Sequence, residues 1–192
     1  MTQEELQEAR MNPDFLGFLE EKETKALESK SISELYEVLD SLLILDLDEN
    51  RIHKIYGEIL KVAFDQIEDR LKDDKKLSLD DDDIYFVRSF YEHAIEKWSM
   101  ENSDGAKELF FILSQIVDDE KFVDAVNVLL LACAKNKDMD SFYEKDVKHL
   151  NEVEEEKYGY FILDFNFDTK EYLDKNLDLI QEQYEKLKHL LN

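Results

Sequence analysis

An all-α fold is predicted by three features of the chain. Apolar residues recur at helical spacing over most of its length. Turn formers are scarce, with only 4 Gly and 1 Pro in 192 residues, which leaves little turn chemistry for a meander of short strands. One stretch, Phe122 to Ala134 (FVDAVNVLLLACA), is apolar on nearly every side, so it belongs inside a helical protein. The pattern predicts about seven or eight helices packed around this buried central helix, with one extended segment near 160–168. A length of 192 residues fits one domain with a real core. The reading is a flexible N-terminal lead over 1–11 followed by a single helical domain over 12–192.

Asn12-Pro13 supplies a cap and a first-turn proline for a helix through Phe15, Leu16, Phe18 and Leu19, fading after Leu27. Ser31-Ile32-Ser33-Glu34 has capping-box spacing and opens a helix carrying Leu35, Val38, Leu39 and Leu42, which stops near Asp46. From Glu49 to Lys72, Ile52, Ile55, Tyr56, Ile59, Leu60, Ala63, Phe64, Ile67 and Leu71 mark the clearest amphipathic helix. Residues 73–79 read as a loop, with Ser78 or Asp80 as the next cap. Asp81, Asp82 and Asp83 suit the positive end of a helix dipole. That helix shows Ile84, Val87, Tyr91, Ala94, Ile95 and Trp98 and ends between Ser99 and Asp104. A shorter helix over 106–117 follows. Asp118-Asp119-Glu120 then caps the central helix, which runs to about Lys135.

A weakly amphipathic helix is expected over 140–156, through Phe142, Tyr143, Val147 and Leu150. At Tyr160 to Asp168 the period changes. Phe161, Leu163, Phe165 and Phe167 alternate with Tyr160, Ile162, Asp164 and Asn166, which is strand spacing. With no second such run nearby, the segment either lies across the helical core or pairs with another chain; packing across the core is the favoured reading. Asp168-Thr169-Lys170-Glu171 caps a last helix over 170–191. There Leu173, Leu177, Ile180, Tyr184, Leu187 and Leu191 alternate steps of four and three, a packing stripe that is also a coiled-coil seam.

Against 24 Lys and Arg stand 48 Asp and Glu, a formal net charge of −24. Such a chain repels DNA, RNA and anionic membranes, which argues against direct nucleic-acid or membrane binding and favours a basic protein partner. The polar, acidic start does not resemble a signal peptide, so a cytoplasmic protein is expected. The one cysteine, Cys133, lies among apolar neighbours and reads as inert core. His53, His93, His149 and His189 form no metal-ligand spacing. Asp46, Asp48 and Asn50, like Asp164, Asn166 and Asp168, start a calcium loop but lack its glycine and its closing glutamate. No motif calls for a metal or cofactor.

The reading that follows is an acidic cytoplasmic protein-protein interaction module, an adaptor, regulator or chaperone-like factor without catalysis. Its expected binding region is 158–191, with Phe161, Leu163, Phe165 and Phe167 on the extended segment and Leu173, Leu177, Ile180, Tyr184 and Leu187 on the last helix. A homodimer through either element is compatible with this. One alternative is a magnesium-dependent helical nucleotide pyrophosphohydrolase. Glu34-x-x-Glu37 and Asp65-x-x-Glu68 would then converge across a hairpin, although the second pair runs in the reverse of the order usual in all-α pyrophosphatases. Another is a nucleic-acid mimic. Thr2-Gln3-Glu4-Glu5-Leu6, with Met11 and Asn12, is similar to the short N-terminal peptide with which some bacterial flagellar-switch and chemotaxis proteins engage a response regulator. The likeness covers about a dozen residues and lacks that family's following pair of leucines; it implies a chemotaxis or flagellar regulatory partner.

Overall fold

Helices in the computed structural model, which describes residues 2–72, 75–149 and 155–191, start where short polar side chains can satisfy their first free N–H groups. Thr2, Asn12, Ser31, Asn102, Asp119, Asp138 and Asp168 each accept from a backbone N–H two or three residues on. The protein is all-α, with ten α-helices and no strand among the described residues. They are α1 (Gln3–Met11), α2 (Pro13–Ser29), α3 (Ile32–Ile44), α4 (Glu49–Arg70), α5 (Asp83–Ser99), α6 (Ser103–Ile116), α7 (Glu120–Ala134), α8 (Met139–Asp146), α9 (Thr169–Lys175) and α10 (Leu177–Leu187). Short 3-10 turns cover Glu156–Tyr158 and Lys188–Leu191. The chain divides at the end of α4 into two units, Met1–Asp69 and Arg70–Asn192.

In the first unit the span read as a flexible lead contains helix α1, closed by a full capping box between Thr2 and Glu5. Its last turn is tied down by Arg10, whose Nε donates to the Leu45 carbonyl at 2.5 Å. Helices α2 and α3 pack together as a hairpin. The inward stripe of α2 is Leu19, Glu23 and Ala26, spaced i, i+4, i+7. Glu23 is admitted there because Arg51 of α4 donates through Nε and Nη2 to its Oε2, at 3.0 and 2.7 Å, so the buried carboxylate is paired. Ser31 accepts from the Glu34 N–H at 3.4 Å, while the Glu34 carboxylate takes the Ser29 hydroxyl at 2.6 Å instead of closing the box. Asp48 accepts from the N–H groups of Asn50 and Arg51, which accounts for the calcium-like spacing as a helix cap.

In the second unit α6 packs against both α5 and α7. The central helix is where its apolarity requires: Phe122, Val126 and Val128 through Cys133 are all fully enclosed. Its one enclosed amide, Asn127, accepts the Tyr184 hydroxyl of α10 at 2.9 Å. The sole tryptophan, Trp98, lies against Phe110 and Phe142 and donates its indole N–H to the Lys137 carbonyl at 2.9 Å. Leu77, in the loop before α5, is clasped by backbone bonds to Ile116 and Asp118. Neither Ser78 nor Asp80 caps α5; they bond to each other within the loop, and Arg70 pairs with Asp82 and Asp83.

Two expected helices are shorter than their patterns. The helix predicted over 140–156 ends at Asp146, because Val147 turns extended and forms an antiparallel bridge with Phe165. Lys148 N–H donates to the Asp164 carbonyl and Asn166 N–H to the Asp146 carbonyl. Residues 150–154 of that expected helix lie outside the described residues. The C-terminal helix breaks at Asn176, whose backbone leaves the helical region at φ −116° and ψ 15°. Its side chain replaces the lost ladder: Nδ2 donates to the Tyr172 carbonyl, and Oδ1 accepts from Lys135 Nζ, both at 2.7 Å. The break at Asn176, with α1, raises the expected seven or eight helices to ten.

Candidate functional site

The residues expected to meet a partner are mostly enclosed by their own unit. Leu163, Phe165 and Ile180 are buried. Phe161 is half-buried, its ring 4.9 Å from Phe122 and 5.1 Å from Tyr91. Phe167 stacks between Phe165 and Tyr172. Leu173 and Leu187 are half-buried, and Tyr184 packs edge-on to Phe111 while its hydroxyl lies 2.9 Å from both Asn127 Oδ1 and Ser114 Oγ. Of that set only Leu177 is exposed, at 51%. The alternation from 161 to 167 is therefore answered within the chain, as a strap over α5 and α7. Tyr91 fastens it by accepting the Ile162 N–H at 2.9 Å. Burial pushes the Tyr91 hydroxyl well above its ordinary pKa, so it stays neutral in that role. Asp119 adds a second fastening, accepting from the Tyr158 hydroxyl at 3.0 Å and from Lys157 at 3.3 Å.

The carboxylates weighed for a metal site face solvent. Glu34, Glu37, Asp65 and Glu68 are all exposed, and Glu37 is held by Lys22 at 2.8 Å. Glu37 and its charge hold the Lys22 ammonium above its ordinary value. Among the described residues, no three His, Cys, Asp or Glu side chains gather so as to hold a metal ion. Carboxylates and cations alternate in pairs such as Lys54–Glu23, Lys170–Glu120, Lys175–Glu171 and Lys186–Glu182.

Cys133 is fully enclosed, and burial pushes its thiol up to about 12. At about pH 8 its thiolate fraction is then roughly one in ten thousand. Iodoacetamide should label it only as fast as the second unit opens, while urea-unfolded protein labels at the rate of an ordinary thiol. Rapid labelling of the folded protein, followed by mass spectrometry, would contradict the placement. Among the described residues, no helix is long and apolar enough to cross a membrane.

The feature that does present apolar surface is on the first unit. Met11, Phe15, Phe18, Leu43 and Ile44 are exposed at 72, 37, 55, 50 and 57%. The Lys22–Glu37 pair fixes their register. Phe18 precedes Lys22 by four residues and Phe15 by seven; Ser41 follows Glu37 by four and Ile44 by seven. In an antiparallel hairpin these steps carry both helices the same way along one face, so Phe18, Phe15 and Ile44 form a ridge beyond the ion pair. The bond from Arg10 to Leu45 brings Met11 to the same end. Carboxylates border the ridge: Asp14 and Glu21 lie one turn from Phe18, and Glu4 and Glu8 line a shallow hollow with Met11.

The stripe expected for the helix opened by Asn12-Pro13 takes Phe15, Leu16, Phe18 and Leu19 together. Two adjacent apolar pairs are more than one stripe can enclose, and that excess was the available signal. No protein-family model, no curated protein and no solved structure matches the chain.

Proposed function

We propose that the chain is an acidic protein-binding module whose docking face is the ridge of Met11, Phe15, Phe18 and Ile44 on α1, α2 and α3. The partner is a basic amphipathic segment of another protein. The observation that supports this is a set of large exposed apolar side chains that the Lys22–Glu37 register places at one end of the α2–α3 hairpin, with carboxylates nearby, in a chain of net charge −24. Apolar contact would supply affinity, and the negative border would attract lysine and arginine on the partner's flanks and speed encounter. A reducing, cytoplasmic setting suits the one buried free cysteine.

The test uses a synthetic helical peptide of leucine and lysine against the whole protein, with a leucine and glutamate peptide as control. Saturable binding of the basic peptide, weakening as salt rises, is expected, and none of the acidic one. Phe18→Ser with Ile44→Ser should weaken it at least about tenfold with little change in the melting midpoint, because both side chains are more than half exposed. If the double variant binds the basic peptide unchanged, the attraction is diffuse charge and the ridge is not a docking face.

A further inference from the structure

The second unit holds a cavity of about 270 Å³ between the α7 start, the end of α8 and the strap. Its polar lining differs from the rest of this acidic molecule, setting Lys121, Lys148 and His149 against the single carboxylate of Asp164. Tyr143, Tyr158 and Phe161 also line it. Position is imposed by the backbone. The Val147–Phe165 bridge and the bond from Lys148 N–H to the Asp164 carbonyl hold Lys148 at the mouth. Tyr143 meets the His149 ring edge-on at 4.8 Å, and Lys121 Nζ stands 5.0 Å from the Tyr158 ring centre.

Among the described residues the charges around the cavity do not balance internally. Asp164, the one carboxylate in its lining, is answered by Lys121 at 3.5 Å. Asp146, just behind the bridge, is held by Lys137 at 2.8 Å. Among the described residues no carboxylate pairs with Lys148 or His149. In a chain with twice as many acidic as basic residues, a lysine with no carboxylate partner among the described residues, beside a histidine and aromatic walls, is an arrangement that an anion completes. Asp119, which accepts from the Tyr158 hydroxyl, is answered by Lys157 at 3.3 Å, and carboxylates farther off are screened beyond about 8 Å at physiological salt. The volume lies below the ~300 Å³ at which drug-sized pockets begin, which limits the occupant to about one ring.

We propose that this cavity binds a small aromatic anion, a single flat ring bearing a carboxylate or a phosphate. The ring would lie between Tyr143 and Tyr158 over Phe161, with the anionic group toward Lys148 and His149. It is a different site from the ridge on the first unit, so the two proposals stand or fall separately.

The probes are phenyl phosphate, benzoate and neutral phenol, titrated into the labelled full-length protein and followed by amide NMR. Saturable shifts are expected for at least one anion, confined to residues 143–149 and 158–164, with affinity at least about tenfold above phenol. Which anion binds more tightly identifies the acidic group. Lys148→Gln with His149→Gln should erase the advantage over phenol while leaving the melting midpoint unchanged, since both side chains are exposed. Tyr143→Ala should weaken anion and phenol alike. No saturable shift by either anion up to about 10 mM, phenol binding as tightly as both, or an anion response that survives the double substitution would each overturn the proposal.

Discussion

Leu130→Asp leaves residues 70–192 unable to fold. Leu130 is completely enclosed in the middle of α7, with Leu129 and Leu131 equally enclosed beside it, so no rotation of the helix can carry a carboxylate to water. An unpaired charge there costs several kcal/mol, and adding the lost packing brings the penalty to the order of 5 kcal/mol or more. Small domains hold only about 5–15 kcal/mol in total. Trp98 provides the measurement, because it is the only indole and lies in this unit against Phe110 and Phe142. In the variant its fluorescence should match that of the urea-unfolded chain before any denaturant is added. An unchanged melting midpoint would mean that α7 is not the core.

Phe122→Ala should be the next most damaging change, and its damage should have a location. Phe122 is fully enclosed in the first turn of α7, its ring 6.1 Å from Tyr91 and 4.9 Å from Phe161. Truncating a buried phenylalanine costs about 3–5 kcal/mol, which lowers the melting midpoint by on the order of 10 °C. The cavity opens directly beneath the strap, so the strap should loosen before the helices do. Hydrogen exchange reads this at Ile162, whose N–H is protected by the Tyr91 oxygen. Its exchange should accelerate more than that of amides in the middle of α6. Equal acceleration at both places would show that the strap is not a separately opening element.

Helices whose pattern needed no distant information were legible in the sequence. The central helix lacks a polar face, and α3 and α4 repeat their apolar residues at helical steps. What local pattern could not show was set by partners far along the chain. The break at Asn176 is held partly by Lys135, 41 residues earlier. The aromatic alternation at 161–167 lies outside the helices, yet its rings are covered by Tyr91, Phe122 and Phe142, which no local window includes. That is why an internal strap had the look of a docking surface. On α2 the obstacle was the reverse: the inward stripe contains Glu23, a residue any hydrophobic pattern skips. Arg51, 28 residues away, makes that burial tolerable. Without Glu23 in the stripe, Phe15 and Phe18 pass for core.

The two ways in which the units are held together also set the order in which they form. The first unit joins neighbours in sequence, with Lys22 meeting Glu37 only 15 residues on, so little loop entropy is spent before contacts form. The second is completed by bonds that span 71 residues, from Ile162 to Tyr91, and 70 residues, from Tyr184 to Ser114. Long-range closure is slow, and chains emerge from the ribosome N-terminus first. The first unit can therefore close while the strap and α10 are still being made, and until they arrive the rings of Tyr91, Phe111 and Phe122 remain open to solvent. That interval is when the nascent second unit is most exposed to aggregation, with the acidic first unit already attached to it.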